Sequence, residues 1–244
     1  MCRPLAIADS GRVKLPSASF VLRWAIIMAV IGCTAQFSVQ GFFHSSIFKQ
    51  WMYQRLVSGS EKQQLRAASA LVYVRAEKYL VAALKLDAPK TRDLAKRALE
   101  FAWFSAAGEQ AEKKLGEAVT AANEERYQEA LEALNKLISK YPTYAEAWNQ
   151  RAAVYWKLGR HEESILDCER ALVLNPNHYG AWQGMGICKL HLGEVKEACR
   201  CLREALKVLP HDEPTQEALR KCEELLRKER SSDGGAVEPT STII

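Results

Sequence analysis

Glycine and proline are scarce, thirteen and eight in 244 residues, too few for a loop-rich all-β architecture. Acidic residues are almost missing from the first quarter of the chain: residues 1–60 carry Arg3, Arg12, Lys14, Arg23, Lys49 and Arg55 against Asp9 alone. The net charge of that head, +5, is the net charge of the whole chain, so the body is neutral. The basic balance is therefore no argument for a nucleic-acid partner. The extended apolar run, Trp24 to Phe37, has fourteen residues, short of the roughly 20 that a membrane-spanning helix needs. The five histidines of the chain form no His-Glu-x-x-His pair, no glycine-rich phosphate loop follows a strand, and no serine sits in a nucleophile elbow. These absences lead to an expectation of no cofactor, no metal and no enzymatic activity. With 48% hydrophobic and 26% charged residues, the chain has the composition of an ordinary globular protein, not of a disordered, collagen-like or polytopic membrane chain.

The seven cysteines, Cys2, Cys33, Cys168, Cys188, Cys199, Cys201 and Cys222, follow no disulfide spacing. Cys199 and Cys201 could suggest a metal site beside Cys188 and His191. Residues two apart on a helix, however, point roughly 200° apart, so packed, reduced thiols are expected. The head, residues 1–58, combines arginine and serine with an absence of acid and a short apolar run. That pattern suits an organellar presequence, chloroplast favoured over mitochondrion. The alternative is a retained membrane anchor over residues 20–43. No repeat position lies in the head, so the folded body is expected to begin at residue 59.

The body repeats itself. Pro142, Pro176 and Pro210 stand 34 residues apart, as do Glu129, Glu163 and Glu197, and Leu137, Ala171 and Ala205. Between the last two units the same shift pairs Trp148 with Trp182, Ala152 with Gly186 and Gly159 with Gly193. Within a unit the apolar residues follow helical spacing. Ala145 to Leu158 carries Trp148, Ala152 and Tyr155 on one face, and Gly159 stops it, since glycine accepts the left-handed conformation that ends a helix. Glu162 to Leu174 is a second helix, ended before Pro176. Two short helices bury too little alone, and stacking like pairs builds a continuous core.

The unit that runs from Ala145 to His178, with Trp148, Ala152, Tyr155, Gly159, Ser164, Ala171 and Pro176, resembles the tetratricopeptide repeat. The next matches through Trp182, Gly186, Gly193, Ala198, Ala205 and Pro210 and departs at Lys189, where an aromatic is usual. The first, residues 111–144, is degenerate, with Lys114 and Ala121 at aromatic positions. The resemblance implies an all-α solenoid of stacked antiparallel helix pairs wound as a right-handed superhelix, with three units over residues 109–212. Around it the chain reads as a helix pair over 59–108 that caps the first unit, a polar-backed capping helix over 213–230 and a disordered tail over 231–244. In the pair, residues 61–86 form one apolar stripe and Thr91 to Ala107 the second. Glu124 and Glu125, like Glu162 and Glu163, are read as acidic residues opening a second helix, where the helix dipole favours them.

The resemblance also places a binding surface on the first helices, which in the family line the concave face. The positions are Asn149, Ala153, Trp156 and Lys157 in the second unit and Gln183, Ile187, Leu190 and His191 in the third. Leu115, Val119 and Asn123 are their counterparts in the first unit. Trp156, Ile187 and Leu190 form an apolar strip with Trp156 as the anchor, whereas Trp148 and Trp182 are core positions. One subset of the family grips a chaperone's terminal carboxylate with Lys, Asn and Arg. The corresponding residues here, Leu115, Val119, Gln150, Gly180 and Gly184, supply no cation. Residues 109–212 carry fourteen basic and sixteen acidic side chains, which argues against nucleic acid. The expected function is that of an adaptor that presents a concave groove to a peptide or helix of a partner protein. The alternative is a membrane-tethered assembly or chaperone-like factor that keeps its head.

Overall fold

The protein is described by a computed structural model over residues 44–233. Contacts divide the chain at Phe48, and the larger unit, which holds the repeats, begins at Lys49. Among the described residues there are eleven helices: α1 Ser46–Ser58, α2 Glu61–Tyr73, α3 Glu77–Ala83, α4 Pro89–Phe104, α5 Glu109–Asn123, α6 Tyr127–Lys140, α7 Ala145–Lys157, α8 His161–Leu174, α9 Tyr179–His191, α10 Val195–Val208 and α11 Glu213–Asp233. From α5 onward they stack as antiparallel pairs, an all-α solenoid.

The turn inside each pair is one local motif used repeatedly. Gly159 and Gly193 take φ of 73° and 78°, and the amides of Arg160 and Glu194 reach back to the carbonyls of Tyr155 and Lys189, both at 2.9 Å. This is the six-to-one closure that caps a helix with a left-handed residue. The first unit makes the same turn without glycine. Glu125 sits at φ 62°, and the Arg126 amide bonds the Ala121 carbonyl at 2.8 Å. Glu125 therefore belongs to the turn between α5 and α6 rather than to the opening of a helix. Arg75, at φ 50°, does likewise, with the Ala76 amide on the Leu71 carbonyl. That turn breaks the stripe over 61–86 into α2 and α3. Neither glycine nor proline marks it, so hydrophobic spacing alone runs straight through it.

The loops between units also keep the period. The Trp148 indole donates to the Pro142 carbonyl and the Trp182 indole to the Pro176 carbonyl, each at 3.0 Å. One period further on, the Gln216 amide donates to the Pro210 carbonyl at 2.7 Å. Asp212, at the position of His178, accepts from the Thr215 amide and hydroxyl. Helix α11 is thus the first helix of a fourth, unfinished unit, and it continues to Asp233. Residues 234–244, most of the expected disordered tail, lie outside the described residues.

Three buried clusters hold the stack, and each crosses into the following pair. The first joins Leu115, Leu131, Leu134 and Ile138 to Ala147 and Val154. The second joins Ile165, Cys168 and Leu172 to Met185, Cys188 and Cys201. The third joins Ala198, Cys199 and Leu202 to Cys222. Cys199 and Cys201 thus enter different clusters, as their helical separation requires. Burial raises the pKa values of Cys168, Cys188, Cys199, Cys201 and Cys222, the last pushed up to about 12. Their thiols stay protonated at neutral pH and pack as small apolar groups.

Two expectations about the N-terminal part need correction. The helices of 59–108 do more than cap the first unit. Phe104 and Ala107 do meet the first cluster, but Trp103, Glu100 and Glu77 contact His178, Tyr179 and Asn177 at the loop between the second and third units. These helices lie along the loop edge of the solenoid, beside the starts of α7 and α9. The folded body also begins before residue 59. In α1, Leu56 is fully buried, its carbonyl accepts from the Gln64 amide at 2.9 Å, and Tyr53 packs on Tyr79. The apolar run 24–37 and the span 20–43 lie outside the described residues. Among the described residues no helix is long and apolar enough to cross a membrane.

Candidate functional site

The first helices of the second and third units, α7 and α9, lie side by side over α8. Small residues keep the space between them open: Ala152, Ala153, Gly180 and Gly184 line a cleft of about 140 Å³. At Gly184 the nearest foreign atom to an added Cβ would be Cys168 Sγ, at 3.5 Å on the cleft floor. Ser164, on the same floor, donates to the Ala152 carbonyl at 2.8 Å and accepts from the Cys188 thiol at 3.2 Å. The floor therefore offers a partner no unpaired polar atom from this serine.

Five of the eight residues anticipated for the groove meet in this cleft: Asn149, Ala153, Trp156, Gln183 and Ile187. Trp156 remains 36% exposed. The Lys157 ammonium stands 5.1 Å from the centre of its ring, a cation–π contact that orients the indole. Lys157 is thus a neighbour of the anchor rather than part of the cleft lining. Leu190 and His191 go elsewhere. Leu190 packs against the third cluster, with Val195, Leu202 and Cys222. His191 stacks on His161 at 4.8 Å and 16° on the turn edge. The apolar strip consists of Trp156 and Ile187 without Leu190, because one further turn of α9 already faces α10 and α11.

The start of α9 carries a buried polar group that spacing gave no reason to single out. His178 is 2% exposed and Glu146 is 8% exposed. His178 Nδ1 accepts from the Ala181 amide at 3.2 Å, capping α9, and Nε2 lies 2.8 Å from Glu146 Oε2. With Nδ1 accepting, the ring proton sits on Nε2 and is donated to the carboxylate. The Gln150 amide donates to the other carboxylate oxygen at 2.6 Å. Trp103 covers the imidazole, its ring stacked at 4.6 Å and 19°. The Tyr179 hydroxyl donates to Glu100 at 2.5 Å. Burial, and then that bond, hold the Tyr179 phenol protonated well above its ordinary range. These partners come from positions up to 79 residues apart, so no local pattern could have joined them. The histidine at a helix start was the one readable signal.

The positions that correspond to the family's carboxylate grip carry no cation. Leu115 is fully buried, Gly180 and Gly184 have no side chain to offer, and Gln150 is engaged by Glu146.

Comparison with known proteins agrees with this architecture. Residues 114–144 and 145–178 each match a family model described as tetratricopeptide repeat. The chain is 32% identical over 111 residues to a TPR repeat-containing protein of Rhizobium etli, which covers 46% of this chain and 54% of that protein. It is 29% identical over 110 residues to Hsp70-Hsp90 organizing protein 1 of Glycine max, covering 45% of this chain and 19% of that protein. The first TPR domain of human RPAP3 aligns with a TM-score of 0.48 at 22% identity, over 50% of this chain and 96% of that domain. The chain thus spans about half the length of the first relative and about a fifth of the second. By its paired helices, its 34-residue period and these matched repeats, the chain carries tetratricopeptide repeats.

Proposed function

We propose that this protein is an adaptor that holds a peptide or short helix of a partner protein in the cleft between α7 and α9. The observation that carries this reading is the exposed Trp156 facing Ile187 across a cleft floored by small residues. An aromatic anchor set in a preformed apolar depression is the usual centre of binding energy at an interface. Asn149 and Gln183, at the margin of the same cleft, can bond a peptide backbone and fix its direction. The similarity to a protein named for organizing Hsp70 and Hsp90 supports a role in bringing proteins together. The absence of cations at Leu115, Val119, Gln150, Gly180 and Gly184 supports a ligand other than a carboxylate terminus. The basic, acid-poor head we read as an organellar address, tested by the N-terminal residue of the native protein.

Affinity capture of native partners on the full chain tests the cleft. Trp156→Ala should weaken capture by about 2 kcal/mol or more, some thirtyfold. Val173→Ala, on an exposed face of α8 away from the cleft, should leave it unchanged. Capture retained in a folded Trp156→Ala variant would place the binding surface elsewhere.

A further inference from the structure

Where α7 and α9 begin, the cleft opens into a second cavity of different chemistry. Asn149 and Gly180 line both. The second cavity, about 420 Å³, has α4 as its far wall through Glu100, Phe101, Trp103 and Phe104. Its lining holds two carboxylates, Glu100 and Glu146, four aromatic rings besides His178, and no lysine or arginine. Neither carboxylate is neutralised by its partners. Glu146 accepts from the Asn149 and Gln150 side-chain amides and from an imidazole whose other nitrogen is itself accepting, and Glu100 accepts from a phenol.

We propose that this cavity receives an arginine or lysine side chain of the bound partner peptide. Ring faces and carboxylates both favour a cation, and a guanidinium or ammonium can use the two together. The charge preference is opposite to that of a cationic grip on a terminal carboxylate. The geometry also sets a spacing. From Asn149 to Trp156 the helix rises about 10 Å, the length of about three residues of extended chain. The basic residue should therefore lie about three positions from the apolar residue that meets Trp156. This spacing rests on the cleft being the peptide site, whereas the cation preference of the cavity does not.

The test is selection from a display library of random linear dodecapeptides on the full chain, followed by affinity measurements on the best peptide with both ends blocked. Arginine or lysine should be enriched at one position, with an aliphatic or aromatic residue about three away. Replacing that basic residue by glutamine should weaken binding about tenfold. Glu100→Lys should weaken the basic peptide by a similar factor and leave the glutamine peptide unaffected. Glu100 is exposed, so the variant keeps the fold, which circular dichroism verifies. Selection of acidic residues, of free carboxyl termini, or of no basic residue overturns the proposal. So does a Glu100→Lys variant that binds the basic peptide as tightly as the parent. Trp156→Ala separates the two readings: if it binds normally while Glu100→Lys does not, the cation site stands and the cleft reading falls.

Discussion

Glu125 shows what one residue can conceal. It holds the position of Gly159 and Gly193 and adopts the same left-handed backbone, φ 62° against 73° and 78°. For a residue with a Cβ that conformation costs about 1–2 kcal/mol, and the first unit carries the cost because the hydrogen bond from Arg126 to Ala121 and the packing of α6 on α5 hold the turn in place. Glu125→Gly should relieve the strain but also loosen the unfolded chain, so the expected net gain is about 0.5–1 kcal/mol. Chemical denaturation measures it. A loss of stability would mean that the glutamate side chain contributes more than its backbone costs.

At the level of the helix, the two equivalent tryptophans define how a first helix is seated. Each is half-buried against the second cluster and donates to the proline carbonyl six residues before it. Trp182 is therefore a seam residue between loop and core, not a fully enclosed one. Its replacement by alanine should cost about 2–3 kcal/mol, below the 3–5 kcal/mol of an enclosed large aromatic. Because each cluster bridges neighbouring pairs only, the loss should appear first in α9, α10 and α11. Hydrogen exchange resolves this. Equal loss of protection in α5 and α6 would show that the stack unfolds as one unit. Gln216, in the same seat one period later, keeps the hydrogen bond while giving up the ring. This suits a helix that no later pair covers among the described residues.

At the scale of the molecule, the N-terminal helices decide how far the mouth of the cleft is open. By lying along the loop edge, α4 turns the mouth of the cleft into a walled cavity and supplies Glu100 and Trp103 to it. α1 is tied to the same body through the fully buried Leu56. A chain beginning at residue 59 should consequently be less stable than one beginning at His44, by about 2–5 kcal/mol, the cost of removing a buried leucine with its cavity. Thermal melting of the two chains compares them directly. Equal midpoints would show that the helix contributes nothing and that the body begins where repeat spacing alone suggests.

The helix pairs and their turns at Gly159 and Gly193 were legible from the 34-residue period, and the resemblance to the repeat family pointed to Asn149, Ala153, Trp156, Gln183 and Ile187, which line the cleft. A repeat stacks by nearest-neighbour contacts, so equivalent residues meet at predictable places. The turns at Arg75 and Glu125 were not, because neither residue type reports a positive φ. Leu190 and His191 were misplaced because the last turn of α9 has left the cleft: Leu190 packs on the third cluster and His191 stacks on His161 at the turn edge. The cavity at the mouth of the cleft belongs to the tertiary structure alone. Glu100, Trp103, Glu146, His178 and Tyr179 share no period, and they come together only because α4, outside the repeats, folds back along their loops. Spacing determines what is periodic in such a chain, while a contact between a repeat and a non-repeating segment depends on where the whole chain places that segment.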